Sequence, residues 1–325
     1  MIFTSSCCDN LSIEEIVKRA EKGDSEAQYI VGFYYNRDSA IDSPDDEKAF
    51  YWLKLAAEQG HCEAQYSLGR KYSEDKSRHR DNEQAIFWLK KAALQGHTFA
   101  SNALGWILDR GEDPNYKEAV AWYQIAAESG MSYAQNNLGW MYRNGNGVAQ
   151  DYALAFFWYK QAALQGHNYA QDNLADLYKD GEGVAQNKTL AAFWYLKSAQ
   201  QGNRHAQFQI AWDYNAGEGV DQDYKQAMYW YLKAAAQESV GAYVNIGYMY
   251  KHGQGVEKDY QAAFEWFMKA AECNDATAWY NLAIMYHYGE GRPVDLRQAL
   301  DLYRKVQASG TRDVSQEIRE IEDLL

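Results

Sequence analysis

The chain is poor in cysteine and proline, and it has no long apolar run. Its 325 residues include four cysteines and three prolines. Scattered cysteines argue against a disulfide framework and favour a reducing compartment, while scarce proline leaves long stretches free to be helical. No segment reaches the roughly 18 apolar residues that a membrane span needs, and residues 1–15 lack the basic start and apolar core of a secretion signal. We therefore expect a cytoplasmic, helix-rich protein that does not enter a membrane.

Positive charge is also in short supply. The chain has 32 Lys and Arg against 45 Asp and Glu, a formal net charge of −13. Nucleic-acid binding depends on clustered positive charge, and anionic membrane surfaces attract basic segments, so neither partner is expected. A strongly acidic protein suits a basic partner, because electrostatic steering then speeds association at low salt.

What the chain has in abundance is a repeat of about 36 residues. Each copy begins with a helical pattern, called helix A, that has Ala at position 0, an aliphatic residue at +4 and, in all copies but the third, Tyr at +8. These positions lie on one face of a helix. The copies start near 27, 64, 100, 134, 170, 206, 242 and 278. A period of this size predicts a solenoid, in which each unit buries its apolar face by stacking on its neighbours.

A second pattern, called helix B, places Ala, Trp, an aromatic residue or Leu, and Ala at 0, +3, +4 and +7. Its tryptophans are Trp52, Trp88, Trp122, Trp158, Trp194, Trp230 and Trp266, with Leu302 in the eighth copy. Seven residues before each stands an acid or amide suited to capping a helix N-terminus: Asp45, Asp81, Asn115, Asp151, Asn187, Asp223, Asp259 and Asp295. An unbroken series of this kind indicates caps rather than catalytic groups. Glycine on helix A is expected to let helix B approach closely.

The ends of the chain predict caps for the repeat array. Residues 1–26 form an N-terminal segment and capping helix, residues 27–309 the eight repeats, and residues 310–325 a C-terminal capping helix. Ser12 and Glu15 fit a capping box. An apolar stripe at Val314, Ile318, Ile321 and Leu325 is expected to close the other end.

The segments 134–167 and 242–272 resemble Sel-one-like repeats (SLR), relatives of tetratricopeptide repeats, and the resemblance extends over about 27–309. It implies an all-α fold, a right-handed α-solenoid superhelix of eight helix-turn-helix repeats with helix A lining the concave face. It also implies a non-enzymatic adaptor or scaffold. Some members of the family act as immunity proteins, so an inhibitor that wraps a toxin or effector is an alternative.

The outward positions of helix A are −1, +2, +6 and +9, and these 32 places hold 12 aromatic residues. The outward positions of helix B at +5, +6 and +9 hold no aromatic residue in 24 places and carry nine Lys or Arg. Because aromatic side chains and Arg anchor interfaces, we predict a protein-binding groove on helix A, centred on repeats 3–6. The alternative is that some of these rings pack against adjacent helices. The predicted partner-binding residues are Tyr66, Arg70, Asn102, Trp106, Tyr133, Asn136, Trp140, Arg143, Tyr169, Asp172, Asp176, Lys179, Phe208, Trp212 and Tyr248.

Catalytic, cofactor and metal sites are not expected. Ser73 and Lys76 fit the Ser-x-x-Lys pattern of β-lactam-binding or hydrolysing enzymes, yet the Ser-Asp-Asn and Lys-Thr-Gly motifs that accompany it are missing. That activity is a remote alternative. His61, His97 and His167 follow the turn glycine after helix B, a repeat apart, which indicates turn or capping residues rather than metal ligands. The expected function is that of a monomeric scaffold for a protein or peptide partner.

Overall fold

The computed structural model describes residues 11–36, 45–74, 79–111 and 113–325. Within these ranges the chain forms 18 helices and no strand, as predicted, and none of the helices is long and apolar enough to cross a bilayer. The A helices are α2 (Ser25–Tyr35), α4 (Cys62–Ser73), α6 (Thr98–Arg110), α8 (Ser132–Asn144), α10 (Asn168–Asp180), α12 (Arg204–Ala216), α14 (Val240–His252) and α16 (Ala276–Tyr288). The B helices are α3 (Asp46–Glu58), α5 (Asn82–Leu94), α7 (Tyr116–Glu128), α9 (Tyr152–Leu164), α11 (Lys188–Gln200), α13 (Tyr224–Ala235), α15 (Tyr260–Glu272) and α17 (Leu296–Ser309). They are flanked by α1 (Ile13–Glu21) and α18 (Ser315–Glu322).

The helices fall into two compact units, Met1–Ala162 and Ala163–Leu325. In the first unit, α1 to α8 form a series in which neighbouring helices along the chain pack on each other. In the second unit, α10 to α18 form a second series of the same kind. Packing between sequential neighbours is what stacked helical hairpins require. Each unit is therefore a run of A–B hairpins.

The caps that start the helices are those that the sequence indicates. All eight predicted acids and amides accept a backbone N–H at the first turn of helix B. His61, His97 and His167 begin α4, α6 and α10, and the Nδ1 atom of each accepts a backbone N–H three residues on. These histidines are caps, as predicted, because an N-terminal N–H has no partner within its own helix.

The core of each hairpin lies where a large residue of helix B meets a small residue of helix A. The large residue stands at +4 of helix B. In six copies it is a fully buried aromatic residue: Tyr123, Tyr159, Tyr195, Tyr231, Phe267 and Tyr303. A Cβ atom on Gly139 would lie 2.8 Å from the Tyr159 ring, so glycine permits this close approach. The tryptophan at +3 packs against the preceding hairpin, as Trp88 and Trp122 show.

A glutamine joint also links successive hairpins within each unit. In the first unit, Gln65 Nε2 of α4 donates to the Ala57 carbonyl at the end of α3, and Gln95 Nε2 donates to Gln65 Oε1. In the second unit, Gln207 makes the same pair of bonds, with the Ala199 carbonyl and with Gln237. Each buried amide is thereby satisfied.

The two ends follow most of the predictions. Ser12 and Glu15 form the capping box of α1. At the other end Val314 and Ile321 are buried in the last core cluster, but Leu325 is exposed. The prediction for Leu325 was wrong because α18 ends at Glu322, so the helical stripe does not continue to the last residue.

Candidate protein-binding surface

In the first unit, helices α6 and α8 present four exposed aromatic side chains. They occupy positions −1 and +6 of helix A: Phe99, Trp106, Tyr133 and Trp140. Trp106 is 46% exposed and Trp140 43%, so each ring retains a large area open to solvent. The amide of Asn137 donates to Asn102 Oδ1 over 3.3 Å and links the two helices. The Arg110 guanidinium lies 5.5 Å from the centre of the Trp106 ring.

The other predicted residues of this unit are less uniform. Tyr66 is half-buried because its ring stacks on His97 at a centroid distance of 4.4 Å. His97 Nε2 lies 3.3 Å from a Glu63 carboxylate oxygen, so the capping histidine of one repeat covers the tyrosine of the repeat before it. Arg70 is exposed beside Glu74, while Asn136 and Arg143 are half-buried.

In the second unit the aromatic residues divide into exposed and packed rings. Tyr169 and Tyr248 are exposed. Phe208 and Trp212 are half-buried, and the Phe208 ring packs 5.8 Å from that of Tyr231. A Cβ atom on Gly241 would lie 2.9 Å from the Phe208 ring, so glycine at this position lets α14 approach.

The predicted polar residues of the second unit bond within the fold. The buried Asp172 carboxylate lies 3.0 Å from His205 Nδ1, and this bond raises the pKa of His205, whereas burial raises the pKa of Asp172. Asp176 Oδ1 accepts a 2.6 Å hydrogen bond from the Tyr195 hydroxyl. Lys179 donates to Gln209 Oε1 over 2.9 Å, and its ammonium lies 5.3 Å from the centre of the Trp212 ring.

Sequence reasoning missed Asp213, which belongs to the same region. It stands at +7 of helix A, where five other copies have a buried apolar residue: Ile107, Met141, Leu177, Met249 and Met285. Burial raises the pKa of Asp213 to about 7. The nearby Tyr231 hydroxyl is buried and has no hydrogen-bond partner among the described residues. The difference between Asp213 and the apolar residues of these five copies was the signal in the sequence.

Helix B also carries exposed aromatic rings, at a position outside the +5, +6 and +9 set compared in the sequence. They stand at +2: Tyr51, Phe87 and Phe157 in the first unit, and Phe193 and Tyr229 in the second. Each packs edge-to-face on the tryptophan that follows it. Aromatic side chains are therefore exposed on both helices of the hairpin.

The part of the chain that the structure describes holds no cluster of metal ligands and includes only half of the Ser-x-x-Lys pattern. No group of three or more His, Cys, Asp or Glu side chains there has the geometry to hold a metal ion. Ser73 is the last residue of α4, and its hydroxyl donates to the Arg70 carbonyl. Lys76, the other half of the Ser-x-x-Lys pattern, lies outside the described residues.

Comparison with known families decides the identity of the repeat. Sel1 repeats match at residues 25–61, 62–97, 98–131, 132–167, 168–203, 204–239, 240–275 and 276–305. The chain belongs to the Sel1 repeat family. Each Sel1 match begins at the first residue of an A helix, so the family repeat and the structural hairpin coincide. Sel1 repeat proteins are generally non-enzymatic scaffolds for protein interactions.

Individual relatives agree with this assignment. A Sel1-repeat-containing protein of Escherichia coli K12, YbeQ, is 94% identical over 151 residues, which are 46% of this chain and 46% of that protein. The matched region thus spans about half the length of that relative. A solved structure of a protective antigen of uropathogenic Escherichia coli, displaying an SLR fold, is 35% identical with a TM-score of 0.87, over 93% of this chain and 65% of that one. A Sel1 repeat protein from Oxalobacter formigenes is 28% identical with a TM-score of 0.71, over 95% of this chain and 90% of that one.

Proposed function

We propose that the protein is a non-enzymatic scaffold that binds a partner polypeptide on its A helices. The observation that carries this proposal is the set of four exposed aromatic side chains on α6 and α8. Exposed rings of this size leave apolar area in water, and covering that area with a partner is favourable by about 25 cal/mol per Å². Tryptophan and tyrosine are also the residues on which binding energy concentrates at interfaces.

Polar groups beside these rings suit the main chain of a bound peptide. Asn102 and Asn136 are half-buried on the same face, and Arg110 lies over Trp106. Amides and guanidinium groups can donate to peptide carbonyls, whereas the rings take up side chains. In the second unit Tyr169 and Tyr248 are the corresponding exposed rings. We expect the protein to act as a cytoplasmic monomer.

The net charge of −13 favours a basic partner. For that reason an inhibitor that wraps one basic toxin or effector is a second candidate. The two roles differ in the number of partners: a scaffold collects several, whereas an inhibitor holds one in stoichiometric amount and loses affinity as salt is raised.

The test replaces the two exposed tryptophans of the first unit by alanine, W106A/W140A. The matched control is F87A/F157A, which removes two rings of helix B that are similarly open, at 47% and 48% exposure. Affinity purification of the full chain with quantitative mass spectrometry should show partner recovery reduced at least tenfold by W106A/W140A and unchanged by the control. Circular dichroism should give the same helical content for both variants.

The proposal is wrong if W106A/W140A recovers its partners as well as the unaltered chain does. It is equally wrong if F87A/F157A loses the same partners to the same extent, since the binding surface would then not be helix A. A salt titration on the recovered complex distinguishes the scaffold from the inhibitor.

A further inference from the structure

Helices α11 and α13 of the second unit share an exposed apolar stripe. On α11 it consists of Leu190 and Phe193, and on α13 of Tyr229 and Leu232, all of them exposed. Counted from the first alanine of each helix B pattern, these residues stand at −1, +2 and +5, which lie on one side of a helix. Two consecutive repeats therefore present the same kind of apolar surface to solvent.

The stripe is also locally basic. Neither α11 nor α13 contains an Asp or Glu, although the whole chain carries a net charge of −13. Lys197, Lys225 and Lys233 are exposed on the stripe and form no ion pair with any residue that the structure describes. The ammonium of Lys197 lies 5.6 Å from the centre of the Phe193 ring, and that of Lys233 lies 5.7 Å from the Tyr229 ring.

The next B helix of the same unit lacks this combination. In α15, Glu265 stands at the position of Phe193 and Tyr229. The fold therefore accepts an acidic side chain at this place, and the two aromatic rings are not required for the hairpin to form.

We propose that the α11–α13 patch, formed by Leu190, Phe193, Lys197, Tyr229, Leu232 and Lys233, docks an acidic amphipathic helix of a partner protein. Charge complementarity carries the choice of occupant, because three unpaired lysines border the apolar stripe and no carboxylate of α11 or α13 opposes them. Leu190 to Lys197 covers about 10 Å of helix. A partner helix of two to three turns matches this length, with apolar residues at i, i+3 or i+4 and i+7 toward the stripe and acidic residues beside them.

An anionic bilayer is disfavoured by the size of the patch. A flat anionic surface would also approach the acidic remainder of the chain, and like charges repel one another over about 8 Å at physiological salt. A single helix contacts the patch alone. The site is independent of the aromatic rings on helix A, so it does not depend on the function proposed above.

The test selects a phage-displayed library of random 16-residue peptides on the full chain. Recovered peptides should be enriched in Asp and Glu together with Leu, Ile and Phe at helical spacing. A fluorescein-labelled copy of the most frequent peptide is then titrated by anisotropy. F193E/Y229E introduces the glutamate that α15 has at this position, and it should weaken binding of the labelled peptide at least tenfold. K197Q/K233Q should weaken this binding severalfold and reduce the dependence of the affinity on salt.

F87A/F157A, which removes two similarly exposed rings of helix B in the first unit, is the control, and it should bind the labelled peptide as the unaltered chain does. Failure to recover any acidic peptide, or equal binding of the labelled peptide to F193E/Y229E, would overturn the proposal. If no acidic peptide is recovered and the chain instead sediments with vesicles of phosphatidylserine and phosphatidylcholine, the patch is a lipid-binding surface and the proposal is wrong.

Discussion

Asp213 is a buried carboxyl group at a position that is apolar in most copies, and replacing it by methionine should stabilise the protein. Methionine stands at the equivalent position in three copies, as Met141, Met249 and Met285, all buried. The substitution therefore places at position 213 a side chain that the same hairpin already accommodates. Its effect should depend strongly on pH, because the cost of burying Asp213 arises only when the carboxyl group is ionised.

The size of that cost follows from the pKa. The pKa of Asp213 is about 7 in the folded chain, against an ordinary value of 3.8. Below pH 3.8 the carboxyl group is neutral in both states, so no cost arises. Between these two values the unfolded chain loses the proton and the folded chain keeps it, so stability falls as pH rises; above pH 7 the loss is constant. At about 1.4 kcal/mol per pH unit the full loss is about 4 kcal/mol, as an upper limit.

The measurement is the midpoint of thermal unfolding at pH 5 and at pH 8. Relative to the unaltered chain, D213M should gain more stability at pH 8 than at pH 5. The control D180N removes a carboxylate from an exposed position at the end of α10 and should leave the difference between the two pH values unchanged. An equal effect of D213M at both pH values would refute the reasoning, since the cost of residue 213 would then not come from its ionisation.

Two further substitutions test the backbone and the caps. Glu238 has a φ of 62°, and the corresponding residue of the preceding repeat is Gly202, so E238G should stabilise the chain by about 1 kcal/mol. N274G should stabilise it less, because asparagine tolerates this conformation. The measurement is the urea midpoint of unfolding, and equal shifts in the two variants would contradict this explanation. D259A removes the carboxylate that accepts the Ala262 N–H at the start of α15, and it should lower the free energy of unfolding by about 1 kcal/mol. D259N keeps a side-chain oxygen that can accept this bond and should lower it little. The urea midpoint again measures the effect, and an equal loss of stability in both variants would rule out capping as the cause.

The helices and their caps could be predicted because they depend on local rules that recur in every copy. An acid or amide at one offset starts helix B in all eight copies, and a left-handed glycine at another offset ends helix A in the last five. Glu238 stands where most copies have glycine, and it shares their positive φ.

Exposure of the candidate site could be predicted only in part, because it depends on what a neighbouring repeat places over each ring. Tyr66 and Trp106 both belong to the outward face of helix A, but a histidine stacks on Tyr66 and only an arginine approaches Trp106. Likewise Phe208 is packed because residue 241 is glycine. Whether a ring is covered thus depends on one side chain in the next copy. The helical pattern within a single copy carries no information about that side chain.

The glutamine joint has a consequence for the history of the array. Gln65 and Gln207 bind a backbone carbonyl at the end of the previous hairpin, and a backbone carbonyl is present whatever the residue there. A whole hairpin can therefore be duplicated or deleted between two such joints, and the new neighbours meet through the same bonds. Changes in copy number then alter the length of the surface offered to partners without requiring a new interior.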